Sequence, residues 1–438
     1  MTYRKKLIEV ALPLEAINVA SAREKSIRYG HPSTMHLWWA RRPLAACRAV
    51  IFASLVDDPS ALPDQFPTEA AQDIERKRLF NIIEELVQWD NSNNQTVLDT
   101  ARTEILRSTG GNPPSLVDPF CGGGSIPLEG QRLGLEVYAS DLNPVAVLIT
   151  KALIEIPPKF AGHAPVNPEY RAKMGAESGW RGAHGLAEDV RYYGKWMREE
   201  AQKRIGYLYP KITLPHKYGG SDATVIAWIW ARTIKCPNPA CGAQMPLVRS
   251  FSLSTKAGKK AWVEPVVNRT TKTVRFEVRM GQGTPPEGTV TRQGATCIVC
   301  STPVPFDHIR AEGREERMDA QLMAIVAEGQ HGRVYLQPTA EQEAIAAEAQ
   351  PDWAPETNLP EKALSFRVQL YGMTRHRDLF TPRQLVALAT FSDLVGEVRE
   401  QIEHDAIAAN AFEDVTQLAE ADISVQSYRD AVATYLST

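Results

Sequence analysis

Two groups of residues in this 438-residue chain have the types and spacing that binding chemistry requires. The first group is a glycine-rich turn between a short apolar run and a helix-like segment. Its residues are Asp118, Pro119, Phe120, Cys121, Gly122, Gly123, Gly124 and Ser125. The second group is two close cysteine pairs, Cys236 with Cys241 and Cys297 with Cys300. The turn is typical of a ligand-binding loop, and the pairs are typical of a metal site.

The glycine turn predicts a nucleoside site. Glycines let the backbone approach a ligand closely, and the following helix presents free N–H groups to a negatively charged or polar ligand. Asp141, at the end of the next predicted strand, can accept hydrogen bonds from both hydroxyls of a ribose. Pro127 replaces the third glycine of a dinucleotide G-x-G-x-x-G motif. The turn therefore favours S-adenosyl-L-methionine, which has no pyrophosphate, and a tight structural turn is the alternative.

The cysteine pairs have the spacings C-x4-C and C-x2-C. Four thiolates around one Zn²⁺ leave no open coordination position, as in structural zinc sites. Strand-like segments lie between the pairs, at residues 245–253, 261–267 and 273–280, so we expect a zinc ribbon. Chance pairing of free cysteines is the alternative. Cys47 and Cys121 stand alone and are expected to be small packing residues.

Several motifs resemble those of a known family. Residues 118–125 resemble the D-P-F-x-G-x-G motif of DNA methyltransferases that modify exocyclic amino groups, and residues 140–144 resemble their ribose-binding motif. More specifically, the chain resembles the bacterial zinc-ribbon adenine-specific DNA methylases, which begin with a domain of unknown function. The further segments that carry this resemblance are residues 9–18, 30–44, 152–160 and 378–385.

The resemblance implies an α/β fold, namely a Rossmann-like S-adenosylmethionine-dependent methyltransferase domain with an inserted β-rich zinc ribbon. It implies methyl transfer to the exocyclic amino group of adenine in DNA, with S-adenosyl-L-methionine and a structural Zn²⁺ as cofactors. The cofactor-binding residues expected from the turn and the resemblance together are Asp118, Pro119, Phe120, Cys121, Gly122, Gly123, Gly124, Asp141, Leu142 and Asn143. Arg41 and Arg42 have three open roles: contact with the cofactor carboxylate, contact with DNA phosphate, or a solvated helix start.

The catalytic loop of amino-methyltransferases, (D/N/S)-P-P-(Y/F/W), is not recognisable. Its aromatic residue stacks on the flipped base. Residues 112–115 (N-P-P-S) lack the aromatic residue, and residues 156–159 (I-P-P-K) also lack the polar one. The catalytic residues are therefore unknown. We expect an N-terminal fragment or split half that works with a downstream polypeptide. The alternatives are a non-catalytic DNA- and cofactor-binding subunit of a modification or phage-defence complex, and an RNA amino-methyltransferase.

The sequence divides into four expected segments. They are a helical segment with a cofactor-lid-like motif (1–72), the first part of the Rossmann-like core (73–215), the zinc-ribbon insert (216–310), and a helical linker with the C-terminal methyltransferase segment (311–438). Helix is predicted over residues 311–348, and the sequence that follows the predicted helix near residues 73–88 is polar and Asn-rich.

Charge is unevenly distributed. The whole chain has a net charge of −3, but residues 231–310 contain 12 Lys or Arg and 4 Asp or Glu, a local charge of +8. Such a basic ribbon suits DNA phosphates, and an ordinary solvated face is the alternative. The basic residues concerned are Lys256, Lys259, Lys260, Arg269, Lys272, Arg275 and Arg279, with Trp262 and Phe276 among them. No apolar run of membrane length and no secretion signal occur, so we expect a cytoplasmic protein.

Overall fold

The computed structural model of the chain describes residues 4–174, 180–361, 367–412 and 423–438. Its helices are α1 Leu14–Glu24, α2 Leu44–Leu55, α3 Glu69–Leu86, α4 Gln95–Ser108, α5 Ser125–Arg132, α6 Pro144–Ile154, α7 Ile156–Lys159, α8 Pro168–Met174, α9 His184–Ile205, α10 Phe306–Arg314, α11 Ala340–Ala347, α12 Pro382–Ala408 and α13 Val425–Ser437. Among the described helices, none has both the length and the apolar composition needed to cross a membrane.

The strands lie in several small sheets, so the mixed α/β class is confirmed. They are β1 Leu116–Asp118, β2 Val137–Ala139, β3 Ile212–Thr213, β4 Asp222–Ala223, β5 Val225–Lys235, β6 Gln244–Leu247, β7 Ser252–Ser254, β8 Ala261–Asn268, β9 Thr273–Met280, β10 Ala295–Thr296, β11 Pro303–Val304, β12 Asp319–Gly329 and β13 Gly332–Leu336. β1 pairs with β2 in parallel, and the other pairs between these strands are antiparallel.

The chain forms two compact units. The first contains residues 1–196 and 395–438, and the second contains residues 197–394. The chain leaves the first unit within α9 and returns to it within α12. The expected segment boundaries at residues 72, 215 and 310 stay a prediction. Strand β5, at the start of the expected insert, pairs with β12, which follows the insert in sequence.

Helices α1 to α4 build the larger core of the first unit. Phe52, Ile83 and Ile105 from three of these helices are fully buried there. Helix α4, which follows the Asn-rich stretch after residue 88, is not predicted from the sequence. The Asn94 side chain accepts a hydrogen bond from the backbone N–H of Thr96 and caps this helix. Leu98, Ala101 and Ile105, spaced three and four apart, bury its apolar face.

Strands β1 and β2 pair in register, with Leu116 opposite Val137 and Asp118 opposite Ala139. Helix α5 connects them and packs against the sheet at Gly130. A Cβ atom there would lie 3.2 Å from side-chain carbons of Leu116 and Val137. This close packing brings the ends of β1 and β2 together beside the start of α5.

The C-terminal helix α13 is anchored in the first unit by a buried carboxylate. Asp189 accepts hydrogen bonds from the backbone N–H groups of Val166 (2.8 Å) and Asn167 (2.9 Å) and from the Tyr428 hydroxyl (2.5 Å). The Tyr435 hydroxyl also donates to the Ala152 carbonyl in α6 (2.5 Å). These bonds connect α13 to α6 and α9.

The second unit contains an antiparallel sheet in the order β13-β12-β5-β6 and a three-stranded sheet in the order β7-β8-β9. The helix predicted over residues 311–348 is wrong between residues 319 and 336, where β12 and β13 form a hairpin. The run 322–327 is buried throughout, because β12 lies between two other strands of the sheet. A continuous apolar run of this kind is ambiguous between a buried helix and a central strand.

Candidate functional site

The glycine turn and the end of β2 lie side by side. The backbone N–H of Cys121 donates to the Ser140 carbonyl (3.0 Å), and the N–H of Ser140 donates to the Asp118 carbonyl (3.0 Å). Continuation of the parallel pairing beyond both strands thus places residues 118–124 next to residues 140–143. All ten residues expected to bind a cofactor are at this edge of the sheet.

Asp141 lies where the two loops meet. One carboxylate oxygen accepts the N–H of Gly122 (2.9 Å), and the other accepts the N–H of Asn143 (2.9 Å). These backbone hydrogen bonds, that of Asn143 first, lower the pKa of Asp141, so the carboxylate is ionised at neutral pH. Each oxygen has a second lone pair that can accept a ligand hydroxyl. The carboxylate of Asp118, in contrast, accepts the N–H of Phe120 (3.2 Å) within its own loop.

Two apolar side chains stand out from this edge into solvent. Phe120 is 77% exposed and Leu142 is 95% exposed. The Pro119 carbonyl accepts a hydrogen bond from the Ser140 hydroxyl (3.4 Å). Asn143 caps α6 by accepting the N–H of Val145 (3.0 Å). Large apolar groups exposed beside an ionised carboxylate are suited to the flat, weakly polar face of a base.

The glycines have a structural neighbour, Trp38. A Cβ atom on Gly122 would lie 2.7 Å from the indole nitrogen of Trp38, and one on Gly123 would lie 2.9 Å from its Cβ. Gly122 and Gly124 also have positive φ angles of 49° and 71°. Side chains at these positions would therefore displace Trp38 or strain the turn, with or without a ligand.

Cys121 is buried beneath the turn. Thr150 of α6 donates a hydrogen bond to its sulfur (3.3 Å), and burial raises the pKa of the thiol. Cys121 is therefore a neutral packing group. The same Thr150 hydroxyl would lie 3.0 Å from a Cβ atom on Gly124, so it supports the turn from below. No sequence signal identified Thr150, because it lies 26 positions beyond Gly124 in a different helix.

The groups around the turn offer both polar and apolar contacts. The carboxylate of Asp141 can accept hydrogen bonds from hydroxyl groups, and Phe120 and Leu142 can contact an apolar ring face. Helix α5 begins at Gly124 without a side-chain cap. The Ser125 hydroxyl, at the first residue of α5, is buried and has no hydrogen-bond partner among the described residues. The three guanidinium nitrogens of Arg41 are also buried and unpartnered there. Unpartnered donors of this kind suit a carboxylate.

The second unit brings the four paired cysteines together. Their sulfur atoms all lie within 4.8 Å of one another. The sulfurs of Cys236 and Cys300 are 3.7 Å apart, and those of Cys241 and Cys297 are 4.0 Å apart. A tetrahedron with Zn–S bonds of about 2.3 Å has edges of about 3.8 Å, whereas a disulfide needs about 2.05 Å. The arrangement can hold a metal ion such as zinc.

Each cysteine pair occupies the turn of a hairpin. One turn connects β5 to β6, and the other connects β10 to β11. The N–H of Cys236 donates to the Ala243 carbonyl (2.9 Å), and the N–H of Cys297 donates to the Thr302 carbonyl (2.9 Å). Without a cation, burial raises the pKa of Cys236 to about 12, whereas hydrogen bonding with Thr302 lowers the pKa of Cys300 to about 6. Four thiolates at this site would need a cation to balance their charge.

The basic residues of the ribbon region are exposed, but the aromatic ones are not. Trp262 and Phe276 are both buried, so they are unavailable for stacking on bases. Arg279 pairs with Glu277, while Lys259 and Lys272 donate to backbone carbonyls. Of the seven basic residues named from the sequence, the other four, Lys256, Lys260, Arg269 and Arg275, are exposed. Exposed cations of this kind could contact phosphates.

Comparison with known proteins gives one match. A family model described as "Protein of unknown function (DUF1156)" matches residues 11–82. The match covers less than a fifth of the chain and includes Trp38 and Arg41, but neither the glycine turn nor the four cysteines. No curated protein and no solved structure matches the chain. Over residues 11–82, this chain is thus similar to a family of unknown function.

Proposed function

We propose that this chain is the cofactor-binding part of an S-adenosylmethionine-dependent DNA methyltransferase that modifies the exocyclic amino group of adenine. The observation that carries the proposal is the contact between the Asp141 carboxylate and the Gly122 N–H (2.9 Å) at the ends of two parallel strands. That contact sets an ionised acceptor beside a glycine turn and an uncapped helix, as a nucleoside site requires.

The residues of this chain would bind and orient the cofactor. S-adenosylmethionine, when bound, would supply a sulfonium methyl group for transfer to an amine. Asp141 would accept the ribose hydroxyls, and Phe120 and Leu142 would flank the base and exclude water from it. In the second unit, Cys236, Cys241, Cys297 and Cys300 would hold a structural Zn²⁺ that links two hairpins. Holding the methyl group in one orientation is itself a large catalytic contribution.

The groups that would activate the target amine are proposed to come from another polypeptide. The parallel sheet has two strands, and on one face Val117 is 69% exposed and Tyr138 is 54% exposed among the described residues. Parallel sheets are normally covered on both faces. The bare face favours the alternative that this chain is a non-catalytic DNA- and cofactor-binding subunit of a modification or defence complex. Methyl transfer to DNA by this chain alone would contradict that alternative, and transfer to RNA alone would favour an RNA amino-methyltransferase.

The cofactor site is tested by calorimetric titration with S-adenosylhomocysteine, the demethylated product. We expect D141N to weaken binding by about 10- to 100-fold, because a hydrogen bond to a charged group contributes roughly 1.5–3 kcal/mol. E136Q is the matched control, since Glu136 lies before β2 and accepts hydrogen bonds from Ser115 and Tyr138. Equal affinities of D141N and the unmodified chain, or no binding by the latter, would reject the proposed function.

A further inference from the structure

A short turn of the first unit holds a tryptophan side chain in solvent. The N–H of Arg41 donates to the Trp38 carbonyl (3.3 Å), and this hydrogen bond closes a β-turn. Trp39 and Ala40 are at the tip of the turn. Trp39 is 90% exposed, and Leu37, just before the turn, is 84% exposed. Large apolar side chains that remain exposed so close together are typical of a contact surface.

Both ends of this turn are fixed within the first unit. The Trp38 ring packs on the glycine turn, where a Cβ atom on Gly122 would lie 2.7 Å from the indole nitrogen. All three guanidinium nitrogens of Arg41 are buried. Helix α2 begins shortly afterwards at Leu44, whose N–H donates to the buried carboxylate of Glu24 (2.8 Å). The anchored ends therefore hold the tip of the β-turn beside the glycine turn.

The charge around the tip favours a polyanion as the occupant of this surface. Residues 30–56 contain three arginines and no acidic residue, although the whole chain has a net charge of −3. The guanidinium groups of Arg41 and Arg48 are buried, whereas Arg42 is exposed directly after the turn. Nucleic-acid-binding surfaces combine an exposed aromatic ring, which stacks on bases, with a cation that contacts phosphate. Charge complementarity therefore favours nucleic acid over a protein partner.

We propose that Trp39 is a wedge that inserts into the base stack of DNA bound to the first unit, while Arg42 contacts the adjoining phosphate. This inference rests on the proposed function, because it takes DNA as the substrate. A ring at the tip of a turn can enter a gap between base pairs, whereas a base extruded from the helix needs a pocket to receive it. An enzyme that modifies a base must take it out of the stack, and a wedge would occupy the space that the base leaves.

The test compares an intact duplex with one that has an abasic site and so already has a gap in its stack. The measurement is fluorescence anisotropy of the labelled duplexes. We expect the unmodified chain to bind the abasic duplex more tightly than the intact one. W39A should weaken binding to the abasic duplex by about 5- to 150-fold, because stacking on that gap is lost. W39F keeps an aromatic ring and should retain most of the preference.

W353A is the matched control. Trp353 is 64% exposed in the second unit, but residues 341–361 contain six acidic residues and no basic one. Both affinities should therefore stay unchanged in this variant. The wedge is wrong if the unmodified chain has no preference for the abasic duplex, or if W39A binds it as tightly as W353A does. An unchanged DNA affinity in W39A would leave the surface to a protein partner.

Salt dependence separates stacking from charge. W39A removes no charge, so its plot of log affinity against log salt concentration should run parallel to that of the unmodified chain. R42Q should instead reduce the slope by about 0.9, the contribution of one phosphate contact on duplex DNA. A changed slope in W39A, or an unchanged slope in R42Q, would contradict the roles assigned to these two residues.

Thermal unfolding controls for a structural role. Because Trp39 is 90% exposed, we expect W39A to have the melting temperature of the unmodified chain. A lower melting temperature with equal losses for both duplexes would mean that Trp39 supports the fold, and would overturn the inference. If W39A binds DNA normally while the unmodified chain binds S-adenosylhomocysteine, only the inference fails. If S-adenosylhomocysteine does not bind but W39A loses DNA affinity as expected, only the proposed function fails.

Discussion

Three buried carboxylates in the first unit have different structural roles, which their partners determine. Glu24 caps a helix, Glu129 lies between two arginines, and Asp189 anchors α13. Removal of one member of such a group leaves its partners buried without compensation, and that cost exceeds what the pair contributed. Arg41 shows the opposite situation, because its three guanidinium nitrogens have no hydrogen-bond partner among the residues that the structure describes.

The pairing of Glu129 with Arg48 allows the cost of breaking a buried ion pair to be measured. Both side chains are completely buried, so E129Q removes the closer of the two carboxylates that face Arg48 and leaves Glu24 at 3.7 Å. We expect E129Q to lower the free energy of unfolding by about 3–5 kcal/mol in urea titrations. The control is E188Q, which breaks a surface ion pair with Arg191 and should cost about 0–1 kcal/mol. Similar costs for the two substitutions would show that the Glu129 cluster is not a buried ionic network.

At the scale of secondary-structure elements, each unit stabilises its candidate site in a different way. The glycine turn depends on packing, since α5, α6 and Trp38 approach the backbone of residues 122–124 closely. The cysteine knuckles instead join two hairpins whose β10–β11 pair has only two residues in each strand. Strands this short bury little surface, so a metal ion is expected to supply much of the stability of this region.

Metal content tests the role of the knuckles. We expect about one Zn²⁺ per purified chain by elemental analysis, with coordination by four thiolates. C297S should lose the metal and the cooperative unfolding of the second unit, because one ligand of the tetrahedron is gone. C47S should keep the metal, since Cys47 is buried in α2 of the first unit. A full metal content in C297S would rule out the four-cysteine site.

At the scale of the whole molecule, the excess of basic residues and the glycine-turn site lie in different parts of the chain. Residues 231–310 have a net charge of +8 and the chain as a whole −3, so the remaining residues sum to −11. The basic residues lie in the second unit, and the proposed cofactor site lies in the first. Under the proposed function, the second unit would contact nucleic acid and the first would bind the cofactor.

The salt dependence of DNA binding tests this division. We expect K260Q/R275Q to reduce the slope of log affinity against log salt concentration by about 1.8, since each phosphate contact on duplex DNA contributes about 0.9. K25Q/R28Q, which changes two exposed cations in the first unit, should leave the slope unchanged. The measurement is fluorescence anisotropy of a labelled duplex. A slope unaffected by K260Q/R275Q would show that the ribbon region is an ordinary solvated face.

Local patterns in the sequence determined much of the arrangement described above. The order of strand, glycine turn, helix and strand around Asp118 and Asp141 follows from glycines, caps and short apolar runs that act over a few residues. The cysteine spacings likewise predicted the four-sulfur cluster, and the alternating residues of 273–280 predicted β9. These features are readable because the forces that produce them operate between near neighbours in the chain.

Other features depend on contacts between distant segments, and only the tertiary structure decided them. The run 322–327 is a strand because β5 and β13 are there to pair with it, a fact that periodicity does not encode. Arg41 and Arg42 are equivalent in sequence, but the fold buries the guanidinium of one and exposes the other. Burial and charge balance are sums over the whole surroundings of a side chain, so they become defined when the chain has folded.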